Sequence, residues 1–74
     1  PYICVMTYHI IFPRGDRQKI SVIELSDSMR YELSDYAVAS RKEFYDIQAC
    51  KEYAKELARI NNIQFIDDDE GYLD

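Results

Sequence analysis

Apolar residues at positions 47, 50, 54, 57 and 60 recur at steps of three and four. That spacing predicts a helix over residues 46–62, with Ile47, Cys50, Ala54, Leu57 and Ile60 forming one stripe. Most remaining places hold Ala, Lys, Glu, Leu or Arg, which lose little side-chain freedom in a helix. Asp46 is placed to accept an orphan amide of the first turn, and Asn61 or Asn62 to end the last turn in a left-handed conformation. Glu52 with Lys55, and Glu56 with Arg59, stand three apart and pair across the wet face. The stripe must be buried against something, and the rest of the chain supplies strands.

Residues 2–12 (YICVMTYHIIF) are almost wholly apolar, β-branched or aromatic, which predicts a strand. Cys4, Met6, Tyr8, Ile10 and Phe12 share one face, and Ile3, Val5, Thr7, His9 and Ile11 the other. Both faces are apolar, so this strand belongs at the centre of a sheet with cover on both sides. Pro13-Arg14-Gly15-Asp16 is turn chemistry, because Pro presets φ and Gly supplies φ > 0. Residues 19–25 (KISVIEL) then form the second strand of a hairpin, Ile20 and Val22 facing one way and Ile23 and Leu25 the other. A helix over 16–33 is the rival reading, since Val22, Leu25, Met29 and Leu33 also fit helical spacing; the strand is preferred.

Ser26-Asp27-Ser28 interrupts the pattern. Tyr31 and Leu33 alternate, then Tyr36 and Val38 alternate with opposite parity, which predicts a bulge or turn near Ser34-Asp35. Residues 36–44 read as a third strand running into the helix, and residues 63–66 as a last short one. The expected fold is therefore α+β: an antiparallel sheet of three to five strands with the 46–62 helix packed on one face. Residues 1–74 make a single compact domain ending in an acidic segment, 67–74, with no linker or repeat.

Composition narrows the picture. With 74 residues the core is small, and support from a partner or a homodimer is in keeping with that size. A hydrophobic content of 47% with seven tyrosines argues against disorder. The apolar runs are too short to span a membrane, and the basic start and apolar core of a signal peptide are not seen, so a cytoplasmic location is expected. Cys4 and Cys50 both fall at expected core positions, where free Cys behaves as a small hydrophobe. Without a C-x-x-C pair, and with one His, they make no zinc pattern. No metal or cofactor is expected.

The charge is unevenly placed. Nine basic and fourteen acidic residues give a net charge of −5. Asp67, Asp68, Asp69, Glu70 and Asp74 account for all of it, leaving residues 1–66 with nine of each sign. The acidic run fails as a calcium loop, since Gly71 falls fifth rather than sixth and no twelfth residue follows. Its bland role is solubility. Its functional role is docking on a basic partner surface, with Tyr72 and Leu73 packing on the body or on a neighbour.

The tyrosines Tyr2, Tyr8, Tyr31, Tyr36, Tyr45, Tyr53 and Tyr72 exceed what so small a core needs. Tyr suits interfaces, offering rigid contact area with a polar tip, although several serve as the rim of the core. The expected partner-binding set is Asp67, Asp68, Asp69, Glu70, Tyr72, Tyr31 and Tyr36. His9, flanked by Ile10 and Ile11, is expected to be packed and hydrogen-bonded rather than a catalytic base. Arg14, Arg17 and Lys19 form one basic tip and Arg41-Lys42 a second, able to contact phosphates with Tyr nearby. A neutral body with an acidic end disfavours nucleic acid as the partner, because phosphate neutralisation dominates that affinity.

Pro1 ahead of a first strand resembles the start of the small tautomerases that use an N-terminal proline amine as general base. The resemblance implies a catalytic Pro1 and an acidic substrate held by cations, for which Arg14, Arg17 or Arg41 are available. An ordinary N-terminus exposed by Met removal is the competing account and is preferred. The leading expectation is a non-enzymatic module that binds a protein with a basic surface, an inhibitor or adaptor acting on nucleic-acid-handling machinery. In size and localised acidity it is similar to the small inhibitors that mobile elements use. The alternatives are a Pro1-dependent tautomerase and a weak nucleic-acid binder working through the basic tips.

Overall fold

The computed structural model describes residues 5–67. Strand β1 (Met6–Phe12) and strand β2 (Lys19–Ser26) form an antiparallel hairpin, with Met6 opposite Ser26 and Ile11 opposite Ser21. A 3-10 helix over Asp27–Asp35 leads to β3 (Ala37–Val38), then α1 (Ile47–Asn61) and β4 (Gln64–Ile66). The sheet order is β3-β1-β2-β4, so β1 is central as its two apolar faces require.

The hairpin turn follows from its sequence. Arg14 (φ 54°, ψ 23°) and Gly15 (φ 75°) are both left-handed, and Asp16 N–H donates to Pro13 O at 2.8 Å. The left-handed pair is that of a type I′ turn, and a second turn, closed by Lys19 N–H to Asp16 O at 3.2 Å, brings the chain into β2. Asp16 Oδ1 accepts from Gln18 N at 2.9 Å and starts β2. The rival helix over 16–33 does not form. Alternation in β2 sends Ile20 and Val22 to one face and Ile23 and Leu25 to the other.

The helix begins and ends as its caps dictate. Asp46 Oδ2 accepts from Ala49 N at 3.0 Å, and Asn62 (φ 57°, ψ 46°) turns the chain out of the last turn. Ile63 N then bonds to Ala58 O at 2.9 Å. Of the expected stripe, Cys50 and Ala54 are fully buried at 0% exposure, and Ala58 at 4% joins them. Leu57 is partly buried, while Ile47 and Ile60 are 37% and 63% exposed. The fully buried helix positions carry small side chains, which allow a helix to pack closely on a sheet, and Leu57 flanks them.

The sheet is mixed, not antiparallel throughout as expected. The helix returns the chain beside the start of β2, where Gln64 N bonds to Gln18 O at 3.0 Å. From there β4 can only run alongside β2 in the same direction, pairing Lys19 with Gln64 and Ser21 with Ile66. The expected third strand, 36–44, is mostly not a strand. Only Ala37 and Val38 pair, with Phe12 and Ile11. Ala39 N still bonds to Ile10 O at 2.8 Å, and Phe44 exchanges bonds of 2.8 and 3.0 Å with Tyr8. Residues 40–43 therefore bulge outward opposite His9.

Two apolar layers result. Ile10, Ile20, Val22 and Phe44 pack on the helix seam, with Tyr8, Leu57, Ile63 and Phe65 around them. On the other face Ile11, Ile23 and Leu25 are covered by the Asp27–Asp35 segment through Leu33. That segment is helical rather than the extended stretch with a bulge or turn near Ser34-Asp35 that its alternation suggested. Its residues are polar enough that none is buried, so nothing holds it to the period of a strand.

Candidate partner-binding surface

The bulge and the 3-10 helix meet over His9. Thr7, His9 and Ile11 lie on the face away from α1, because successive residues of β1 alternate. His9 is 3% exposed and its Nε2 lies 2.8 Å from Thr7 Oγ1. The Thr7 hydroxyl donates to Leu25 O at 3.2 Å, so it accepts from the imidazole, and the neutral tautomer carries its proton on Nε2. Burial pushes the His9 pKa below the ordinary histidine value; Glu43 works against that shift and Arg30 adds to it. His9 is thus a packed, hydrogen-bonded residue, as its apolar neighbours suggested.

Glu43 is the hub above it. Glu43 Oε2 accepts from Arg30 at 2.8 Å and lies 3.9 Å from His9 Nε2. Its other oxygen accepts from the Tyr45 hydroxyl at 3.2 Å. Arg30 also approaches Asp27 Oδ1 at 3.6 Å within its own helix. The pair joins the bulge to the 3-10 helix and holds both in place over β1. Around it stand exposed apolar and aromatic side chains: Tyr31 at 72%, Tyr45 at 67% and Met29 at 40%.

Tyr31 and Tyr36 are both at the surface, Tyr36 at 37% exposure. Asp67 lies beside Lys51 at 3.4 Å, at the end of β4. Asp68, Asp69, Glu70, Tyr72 and Leu73 lie outside the described residues, as do Pro1 and Cys4. Arg14 and Lys19 line a shallow depression of about 200 Å³ with Pro13, Asp16 and Ile66. Arg17 stacks on the Phe12 ring at 4.8 Å and borders a second hollow of about 430 Å³ floored by Ile20, Leu57 and Ile63. Lys42 sits 5.6 Å from the rings of both Phe44 and Tyr53, so the second basic tip is in part a cation on an aromatic pair.

Other chemistry is quiet. Cys50 is fully buried, and desolvation pushes its thiol up to about 11, which keeps it protonated and unreactive. The Tyr8 hydroxyl donates to Glu24 at 3.0 Å, and that bond raises its pKa. Among the described residues no three His, Cys, Asp or Glu side chains gather as a metal site. No helix among them is long and apolar enough to cross a membrane.

The sequence reading missed Arg30, Glu43 and Tyr45 as a unit. No local pattern joins Arg30 to Glu43, because the chain between them runs through β3. The one available signal was a cluster of charge, Arg41-Lys42-Glu43, inside a stretch read as strand. Comparison with protein-family models, curated proteins and solved structures finds no match for this chain.

Proposed function

We propose that the protein is a small non-enzymatic binding module that engages a protein partner through the surface around Glu43. The observation that carries this reading is the exposure of Tyr31 and Tyr45, at 72% and 67%, flanking a fixed Arg30–Glu43 pair. Tyr and Arg are enriched among the residues that dominate interface energetics, Tyr because it brings large rigid contact area with a polar tip at low entropic cost and Arg because its planar fork presents several donors. Tyr36 extends the surface at the start of β3. His9 lies beneath it, sealed from solvent, where it supports the pair rather than meeting a substrate.

The acidic residues Asp67, Asp68, Asp69 and Glu70, with Tyr72, are proposed to select a partner with a basic surface by electrostatic steering. A protein whose basic groove handles nucleic acid fits that charge, and the module acts on it as an inhibitor or adaptor in the cytoplasm. Immobilised wild-type protein in native host extract should then retain such a partner, as read by mass spectrometry. The double variant Tyr31→Ala, Tyr45→Ala should lose it. Equal retention by both proteins overturns the proposal, and retention of nucleic acid alone replaces it with binding through the basic tips.

A further inference from the structure

The buried imidazole under the Arg30–Glu43 pair gives this surface a means of control. We propose that His9 is a proton-operated latch: a second proton on its ring draws Glu43 away from Arg30 and releases the Asp27–Asp35 segment that carries Tyr31. The inference deepens the binding role proposed for that surface and rests on it for its biological consequence.

With Nε2–H committed to Thr7 Oγ1, a second proton goes to Nδ1 and places a positive charge in a site 3% exposed. The nearest carboxylate oxygen, Glu43 Oε2, is 3.9 Å from Nε2 and already serves Arg30 at 2.8 Å. Two cations then compete for one oxygen and repel each other across it. The imidazolium is shut away from water, whereas the Arg30 side chain is 49% exposed and can be solvated, so Arg30 is the one that leaves. The other groups facing this point do not alter the outcome. Asp27 lies on the Arg30 side, 3.6 Å away within the same helix, and moves with it. The Tyr45 hydroxyl donates to the other oxygen, Glu43 Oε1, and leaves Oε2 to the two cations. From β2 the neighbours are Ile23 and Leu25, which do not titrate.

Among the described residues, few other contacts hold the segment. None of its residues is buried. Its other attachments among the described residues include the Leu33 contact with the Ile11, Ile23 and Leu25 layer, the Asp27 N bond to Val5 O at 2.8 Å and the Ser28 hydroxyl 3.2 Å from that of Ser26. Elements with few buried contacts open at the lowest cost, so the segment responds before the hairpin does. Burial lowers the proton affinity of His9, so the latch is closed at neutral pH and opens as pH falls below the ordinary histidine range.

Amide hydrogen exchange of the isolated protein tests this without any partner, so failure of the latch and failure of the binding proposal are separable. Between pH 7.5 and 5.0, exchange over 27–35, corrected for intrinsic rates, should accelerate roughly threefold or more, with β1 and β2 unchanged. His9→Gln should abolish the acceleration. In the wild type, the His9 Cε1–H resonance should titrate with a midpoint below the ordinary 6.5 or so, and the 27–35 amides should shift with the same midpoint. Uniform acceleration across the sheet, acceleration that persists in His9→Gln, or 27–35 shifts that do not follow the His9 midpoint each overturn the latch.

Discussion

Replacing Ile60 with Ala and Ala54 with Leu tests which face of α1 is buried. Ile60 belongs to the three-four stripe, and were it core its truncation would cost about 2–5 kcal/mol. In the structure it is 63% exposed. Full burial of an Ile side chain is worth about 1.5–3 kcal/mol, so the covered third contributes roughly 0.5–1 kcal/mol. Ala is the better helix former by a few tenths of a kcal/mol, which offsets part of that. The net cost should be under about 0.7 kcal/mol. Ala54 is the reverse case. It is 0% exposed in the same core cluster as Ile20 and Val22, where three more carbons must be fitted into packed interior. Ala54→Leu must push the helix off the sheet or force strained rotamers, at about 1–3 kcal/mol. Urea melts of the two variants decide the matter. A cost above about 2 kcal/mol for Ile60→Ala, or a neutral Ala54→Leu, would show the helix to be rotated away from this description.

Other expectations are equally direct. Arg14→Asn should raise stability by about 0.5–1 kcal/mol in the same melts, because Asn-Gly suits the left-handed pair of a type I′ turn better than Arg-Gly. Asp46→Ala should cost about 1 kcal/mol by orphaning the Ala49 amide. Cys50, its thiol raised to about 11 and fully buried, should resist a thiol reagent in the native state at pH 8 and react on unfolding in urea. For His9 the folded pKa lies below the unfolded one, so the unfolded chain binds the proton first. Its contribution to stability is whole above about pH 6.5 and is lost as pH falls through the lower folded value. The urea midpoint should therefore fall less steeply between pH 7.5 and 5.0 in His9→Gln than in the wild type.

Much of this fold is written in local sequence. Asp46, Asn62 and the three-four spacing set the helix limits. The alternation of Ile20, Val22, Ile23 and Leu25 assigns β2 its two faces. What was not legible depends on contacts distant in the chain. The large residues Ile47 and Ile60 dominate any reading of the helix stripe, yet the close approach of helix to sheet selects Cys50, Ala54 and Ala58. The direction of β4 depends on where α1 delivers the chain, which residues 63–66 themselves do not encode. The parity change between Leu33 and Val38 did mark an interruption, but not that residues 27–35 coil into a 3-10 helix and residues 40–43 bulge. Of the binding surface, the excess of tyrosines was visible, whereas the grouping of Arg30, Glu43 and Tyr45 over His9 arises only when the bulge and the 3-10 helix meet.

The most direct test of the binding surface is photo-crosslinking inside the native host from single positions. A benzophenone side chain placed at Tyr31 or Tyr45 should yield one discrete protein adduct, the same from both sites. The same group at Glu52, exposed on α1 across the sheet from that surface, should yield none. An adduct from Glu52 alone, equal adducts from all three sites, or nucleic acid in place of protein would contradict the account.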